Sequence, residues 1–255
     1  MRTVKLILLG LLTFAITALW LMPAAFVAPY IEQAAPNVRL SNASGTVWNG
    51  QASSVRINDF DVGSVDWNVH PLKSLLSLSV VTDLDIQGIE LNAKGNAAYG
   101  LLDKSIRLST VKFDADASII KRFQPQVGLI GDFEGLIDDA AISPGGFPTI
   151  NGVVNLVQGG VIFPRVEPGN YRADIRSENE SLIAEISSAD SPLSIDGKAS
   201  INSAWQYQAD ILTKASPSLN PMIINLLRPV AGNNPGPDGS LRINRKGKIS
   251  PIPLY

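Results

Sequence analysis

From Val4 to Met22 the chain reads VKLILLGLLTFAITALWLM, with one charge, Lys5, near its start, and it stays apolar through Pro23–Ala28. At about 1.5 Å of rise per residue, roughly 20 helical residues cross a hydrocarbon core of about 30 Å, so the stretch predicts a transmembrane helix over 4–22, extendable to 28. A cleaved signal peptide is the competing reading. The run is longer than a signal core, and its small-x-small sites are poor: cleavage after Ala25 puts Pro23 at the third position upstream, and cleavage after Ala28 puts Phe26 there. Arg2 ahead of the segment, Lys5 near its start and a long polar chain after it predict residues 1–3 in the cytoplasm and 29–255 on the far side of the membrane. Trp20 and Tyr30 then fall near the outer interface.

Past this segment the dominant period is two. In V-K-F-D-A-D-A-S-I, Val111, Phe113, Ala115, Ala117 and Ile119 alternate with Lys112, Asp114, Asp116 and Ser118, as in a strand with one packed face and one wet face. Trp205, Tyr207, Ala209 and Ile211 repeat it, as do Leu182, Ala184 and Ile186, and Tyr171, Ala173 and Ile175. Shorter examples are Val65, Trp67 and Val69, then Ile89, Leu91 and Ala93. The expected fold is mainly β: a transmembrane helix, then a large, twisted, mostly antiparallel sheet built from hairpins, with few short helices.

Turn residues punctuate these runs. Ser177–Ser181 is a polar turn that predicts a hairpin of 171–175 with 182–186, and Gly88 and Gly95-Asn96 read as the ends of another strand. Ser143–Gly146 and Asn233–Pro237 read as loops. Asp196-Gly197, Asp238-Gly239 and Asn151-Gly152 each precede an alternating run, which suggests a repeated glycine-turn-strand unit. Helix signals past the N-terminal segment are few: Pro71–Leu76, with Pro at an allowed first position, Ser218–Leu227, read as a short buried helix capped by Asn220, and Ile119–Phe123, followed by Gln124-Pro125, as a candidate further short turn.

Composition narrows the chemistry. The 255 residues contain no cysteine and one histidine, which excludes disulfides, thiolate zinc sites and cysteine nucleophiles. Without Arg2 and Lys5, 19 basic residues face 23 acidic ones, so a nucleic-acid interface is not expected. His70 lies beside Pro71 with no G-x-S-x-G turn in the chain, and a lone imidazole of this kind reads as structural. The pairs Asp83/Asp85, Asp114/Asp116 and Asp138/Asp139 have the look of solvated strand faces, although paired acids also serve glycosidases and calcium sites. Gly159-Gly160 and Gly145-Gly146 lack the Lys and Ser/Thr of a phosphate loop. Trp48, Trp67, Trp205 and Tyr207 read as core aromatics. No catalytic residue, cofactor or metal is expected.

Two segments carry a resemblance. Gly45-Thr46-Val47-Trp48-Asn49-Gly50-Gln51-Ala52, followed by Gly63-Ser64-Val65-Asp66-Trp67-Asn68-Val69-His70-Pro71-Leu72, resembles protein N of the type II secretion system, in which a G-T-apolar-W-x-G-x-A turn precedes a G-x-apolar-x-W-x-apolar-x-P-x-x-L segment. The signature positions are Gly45, Thr46, Trp48, Gly50, Gly63, Trp67 and Pro71. The resemblance implies a non-catalytic inner-membrane component of the Gram-negative machine that exports folded periplasmic proteins, a scaffold whose partners are other inner-membrane and periplasmic secretion components. The same turn is more loosely similar to AsmA-like inner-membrane proteins, which implies the alternative of a lipid-handling module. The alternating pattern lines a closed core and an open lipid groove equally well. Gly45 and Gly50 are expected to end a short strand with Val47 and Trp48 on opposite faces, and Trp48 to meet Trp67.

Overall fold

The computed structural model describes residues 2–249 apart from 123–124, 126–127, 163–164, 218, 220, 230 and 232–235. The chain divides into two compact units, 1–102 and 103–255.

The first unit opens with two helices, α1 (Arg2–Trp20) and α2 (Ala24–Ala34). Leucine, alanine and isoleucine in α1 are compatible with helix, and Pro23, which has no N–H to donate, separates the two and stands at the N-cap of α2 with φ −66°. The large apolar side chains from Val4 to Trp20 are more than half exposed. Among the described residues no helix is long and apolar enough to cross a membrane.

There follow β1 (Val38–Ser41), β2 (Ser44–Gly45), β3 (Asn49–Ile57), β4 (Phe60–Val69), α3 (Pro71–Ser77), β5 (Ser79–Gln87) and β6 (Leu91–Gly100). The strands form an antiparallel ladder in the order β1, β3, β4, β5, β6, with β2 paired to the start of β3. Its core is Ala52, Val55 and Val62, flanked by Val38, Leu40, Phe60, Val65, Trp67 and Ile86. Glu32 of α2 accepts from the Leu40 backbone N–H at 2.8 Å, covering a donor on the β1 edge that would otherwise be open to another strand.

The second unit holds β7 (Ile106–Asp116), β8 (Leu129–Ile142), β9 (Thr149–Val161), β10 (Val166–Glu178), β11 (Ser181–Ala189), β12 (Leu193–Asn202), β13 (Gln206–Ala215), α4 (Pro221–Leu227) and β14 (Leu241–Lys248). Each strand pairs antiparallel with the next. Register aligns one face into apolar rows. Phe113, Gly135, Val154, Ala173, Ile186, Gly197, Ile211 and Ile243 are successive cross-strand partners. The opposite face carries ion pairs such as Arg172–Asp174 and Arg176–Glu185, each at 2.7 Å.

Among the described residues no second layer seals these rows. Phe113, Val154, Ile186, Ile211 and Ile243 stay partly exposed, and among the described residues Ile223 of α4, with Leu219 just before it, covers one corner by packing on Val166 beside Val161, Leu193 and Ala215. The face shields itself instead. The Phe113 ring lies over Gly135, 2.4 Å from where a Cβ would stand, so a large side chain covers the gap left by a cross-strand glycine.

The mainly β, antiparallel architecture agrees with the sequence reading, and several local expectations change. The 171–186 hairpin forms, turning through Asn179 and Glu180 at φ +48° and +56°. Ala117 and Ile119 leave the strand for a 3-10 turn (Ala117–Arg122), which begins two residues ahead of the short turn read from Ile119, and Ile89 is a fully exposed residue in the turn between β5 and β6. Gly95 and Asn96 sit inside β6 rather than at its end. Of the repeated glycines only Gly239 lies in a turn; Gly152 and Gly197 are mid-strand, where a Cβ would stand 2.4 Å from the Leu136 and Asp210 carbonyls of the neighbouring strands. The Asn220 cap and residues 233–235 of the expected loop lie outside the described residues.

Candidate functional site at the base of the N-terminal helix

The signature residues other than Gly63 gather where α1 ends. Gly45 pairs with Gly50, and Thr46 closes the hairpin: its N–H donates to the Asn49 carbonyl at 2.8 Å, while its hydroxyl accepts from the Asn49 N–H at 3.0 Å. Val47 and Trp48 are therefore the tip of a tight hairpin, not the middle of a strand. Gly45 sits at φ +80°, a conformation that costs glycine nothing.

This tip caps the helix. The last carbonyls of an α-helix have no partner within it. Here the Trp48 Nε1–H donates to the Leu19 carbonyl at 2.9 Å, and the Val47 N–H donates at 3.0 Å to the carbonyl of Met22, in the connector just past α1. Pro23 and Thr46 form an isolated antiparallel bridge. The indole of Trp48 stacks on Trp20, with centroids 6.2 Å apart and planes at 27°. Sequence reasoning set Trp20 at an interface and paired Trp48 with Trp67; the structure gives Trp48 to Trp20. Only the helix axis could have predicted it, because the partners are 28 residues apart and belong to different elements.

Trp67 does a different job from the neighbouring strand. Its Nε1–H donates to the Val47 carbonyl at 3.2 Å, so it holds the back of the same tip, and its body joins the core of the first unit. Gly50 leaves room for that ring: a Cβ there would stand 2.6 Å from Trp67 Cζ2. Gly63, at φ +96°, faces Val55 at an irregularity in the β3–β4 ladder, and a Cβ on it would lie 2.2 Å from the Gln87 carbonyl oxygen.

His70 ends β4, and Pro71 starts α3. Nε2 of His70 is 2.9 Å from an Asp83 carboxylate oxygen, tying the end of β4 to β5, and among the described residues no hydroxyl is hydrogen-bonded to the imidazole. Asp85 instead pairs with Lys94 at 2.7 Å, and that hydrogen bond holds its carboxyl below the usual range. Among the described residues no group of three or more His, Asp or Glu is placed to hold a metal. Asp114 and Asp116 remain on the exposed face of β7 and Asp138 and Asp139 on β8.

A cleft lined by Trp20, Leu21, Thr46, Trp48, Asn49 and His70 completes the site. The arrangement is mechanical: two hydrogen bonds, a bridge and a ring stack join a helix end to a sheet corner. The family model of type II secretion system (T2SS), protein N, matches residues 36–244 and so spans the whole signature. The chain belongs to this family. No curated protein and no solved structure matches it. As a member of the protein N family, it is a component of type II secretion, a system for protein transport, and works with other proteins of that system. The matched segment begins after α2, so the hairpin and both tryptophan motifs lie within the family region, while the helix that they grip lies outside it.

Proposed function

We propose that this member of the protein N family is a non-catalytic inner-membrane component of the secretion apparatus, tethered by α1 and serving as a scaffold or assembly partner through its periplasmic sheet. The observation that carries the reading is the hairpin clasp: a helix whose apolar side chains face outward is fixed by named hydrogen bonds to the corner of a sheet domain. Such a joint transmits the position of the bilayer to the sheet. The span runs over 4–22, with the residues to 28 at the interface, residues 1–3 cytoplasmic and 29–255 periplasmic. Strand edges supply contact surfaces that need no special side chains; among the described residues β14 pairs with β13 on one side only.

The test is a deletion strain complemented by the full chain. Secreted enzymes should accumulate in the periplasm without the gene and reach the medium with it. Unimpaired release in the deletion strain would refute the assignment, and release of the chain from membranes by alkaline carbonate would refute the tether.

One observation favours a second reading. Among the described residues nothing seals the apolar rows of the second unit, which is what an AsmA-like lipid-handling sheet requires and a closed core does not. Mass spectrometry of the purified full chain separates the two. Stoichiometric co-purified phospholipid would assign the face to acyl chains, whereas lipid-free protein crosslinked to other secretion components would assign it to them.

A further inference from the structure

We infer that α3 and the turn after β6 form a second membrane contact, lying in the interfacial layer of the bilayer that α1 enters; the inference rests on the tether proposed above. In an ordinary surface helix the apolar stripe faces the protein and the polar residues face water. The seven-residue α3 is inverted. Leu72, Leu75 and Leu76, at the spacing that shares one helix face, are 78 %, 73 % and 87 % exposed. The residue turned toward the sheet is Ser74, whose hydroxyl accepts from the Val81 backbone N–H at 2.9 Å.

The neighbouring turns extend this apolar surface. Leu78, 53 % exposed, follows α3 in the left-handed conformation, and its carbonyl accepts from the Leu101 N–H at 3.0 Å. That bond brings Leu101 and Leu102, 56 % and 81 % exposed, beside it. No acidic residue occurs from Pro71 to Thr82, and the one charge on α3 is Lys73, a favourable partner for lipid phosphate.

Position selects lipid over a protein partner. Asn49, next to Trp48, pairs with Asn68 near the end of β4, so the strand end that launches α3 is the one that caps α1. Pro71 and Trp20 line the same cleft. A chain tethered by α1 therefore holds these leucines at the level where that helix leaves the bilayer. Seven residues bind a membrane weakly alone, but a tether converts the contact into an intramolecular one. The opposite end of the ladder gives the control: Ile89, fully exposed, lies one nine-residue strand away, about 30 Å at ~3.3 Å per residue.

The cysteine-free chain makes the test direct. Full-length Leu12→Cys, Leu75→Cys, Leu101→Cys and Ile89→Cys variants carry an environment-sensitive fluorophore in phosphatidylethanolamine/phosphatidylglycerol vesicles containing a lipid with a shallow nitroxide or, for the label at 12, a lipid with a nitroxide deep in its acyl chain. Labels at 75 and 101 should shift to the blue and lose emission to the nitroxide, while the label at 89 keeps its aqueous spectrum. Quenching at 12 with aqueous spectra at 75 and 101 would overturn this inference and leave the tether standing. Blue-shifted but unquenched labels at 75 and 101 would overturn it in favour of a protein partner. An unquenched label at 12 would overturn the tether and this inference with it.

Discussion

Replacing Trp48 by alanine should loosen the joint between α1 and the sheet without unfolding the sheet. The substitution removes the stack on Trp20, worth about 0.5–1.5 kcal/mol, and the Nε1–H bond to the Leu19 carbonyl, worth about 0.5–1.5 kcal/mol net. Together these are about 1–3 kcal/mol. Trp48 is half-buried and outside the core cluster, so the loss acts on local opening of the clasp rather than on global stability. Converted at about 1.4 kcal/mol per tenfold, the Val47 amide, which donates to the Met22 carbonyl, should exchange with deuterium roughly 5- to 150-fold faster, with the amides of β4 and β5 unchanged. Trp48→Phe keeps a ring for the stack and drops the donor, so it should fall between wild type and alanine. Trp67→Ala is the contrast: its body belongs to the core, and truncation should cost about 3–5 kcal/mol of global stability. Hydrogen exchange of the full chain in lipid nanodiscs reads all three. Val47 exchange within twofold of wild type in Trp48→Ala would refute the clasp, and acceleration across the whole ladder would show Trp48 to be core.

Two further outcomes follow from backbone and charge. Gly63→Ala should cost about 1–3 kcal/mol from its φ of +96° alone, and more because the methyl meets backbone atoms that cannot yield; Gly145→Ala, at φ +69° with no atom within 4 Å, should cost less, and equal urea midpoints would refute the steric argument. Acid should weaken the second unit. Asp238 is lowered to about 2 by the Ser240 hydroxyl and N–H and by Lys214, and Asp210 is lowered by its hydrogen bonds from Arg242. Folded values below the unfolded reference of about 3.9 mean that the contribution is complete above that pH and disappears as pH falls toward 2. The urea midpoint should drop between pH 5 and pH 2.5, less steeply in Asp238→Asn; identical slopes would assign these exposed pairs no role.

The chain determines much of its own form. Alternation fixes which residues share a face, because side chains of a strand point to opposite sides, and so Phe113, Ala115, Ala173 and Ile175 were legible as one apolar surface. Pro71 announced α3, and the polar Ser177–Ser181 turn announced its hairpin. The Gly45–Gly50 signature was legible as a motif, although it forms a hairpin tip and not the short strand expected of it. Its purpose was not, since the groups that it caps, the Leu19 and Met22 carbonyls, are backbone atoms that leave no mark on side-chain spacing. Mid-strand Gly152 and Gly197 read as turns for a similar reason: a glycine demanded by close approach of a neighbouring strand and one demanded by a turn are the same letter. Whether the apolar rows would be sealed, and which side of α3 would face outward, depend on what the finished ladder sets against them. Periodicity states that a face is apolar; only the packing of distant segments decides whether protein covers it.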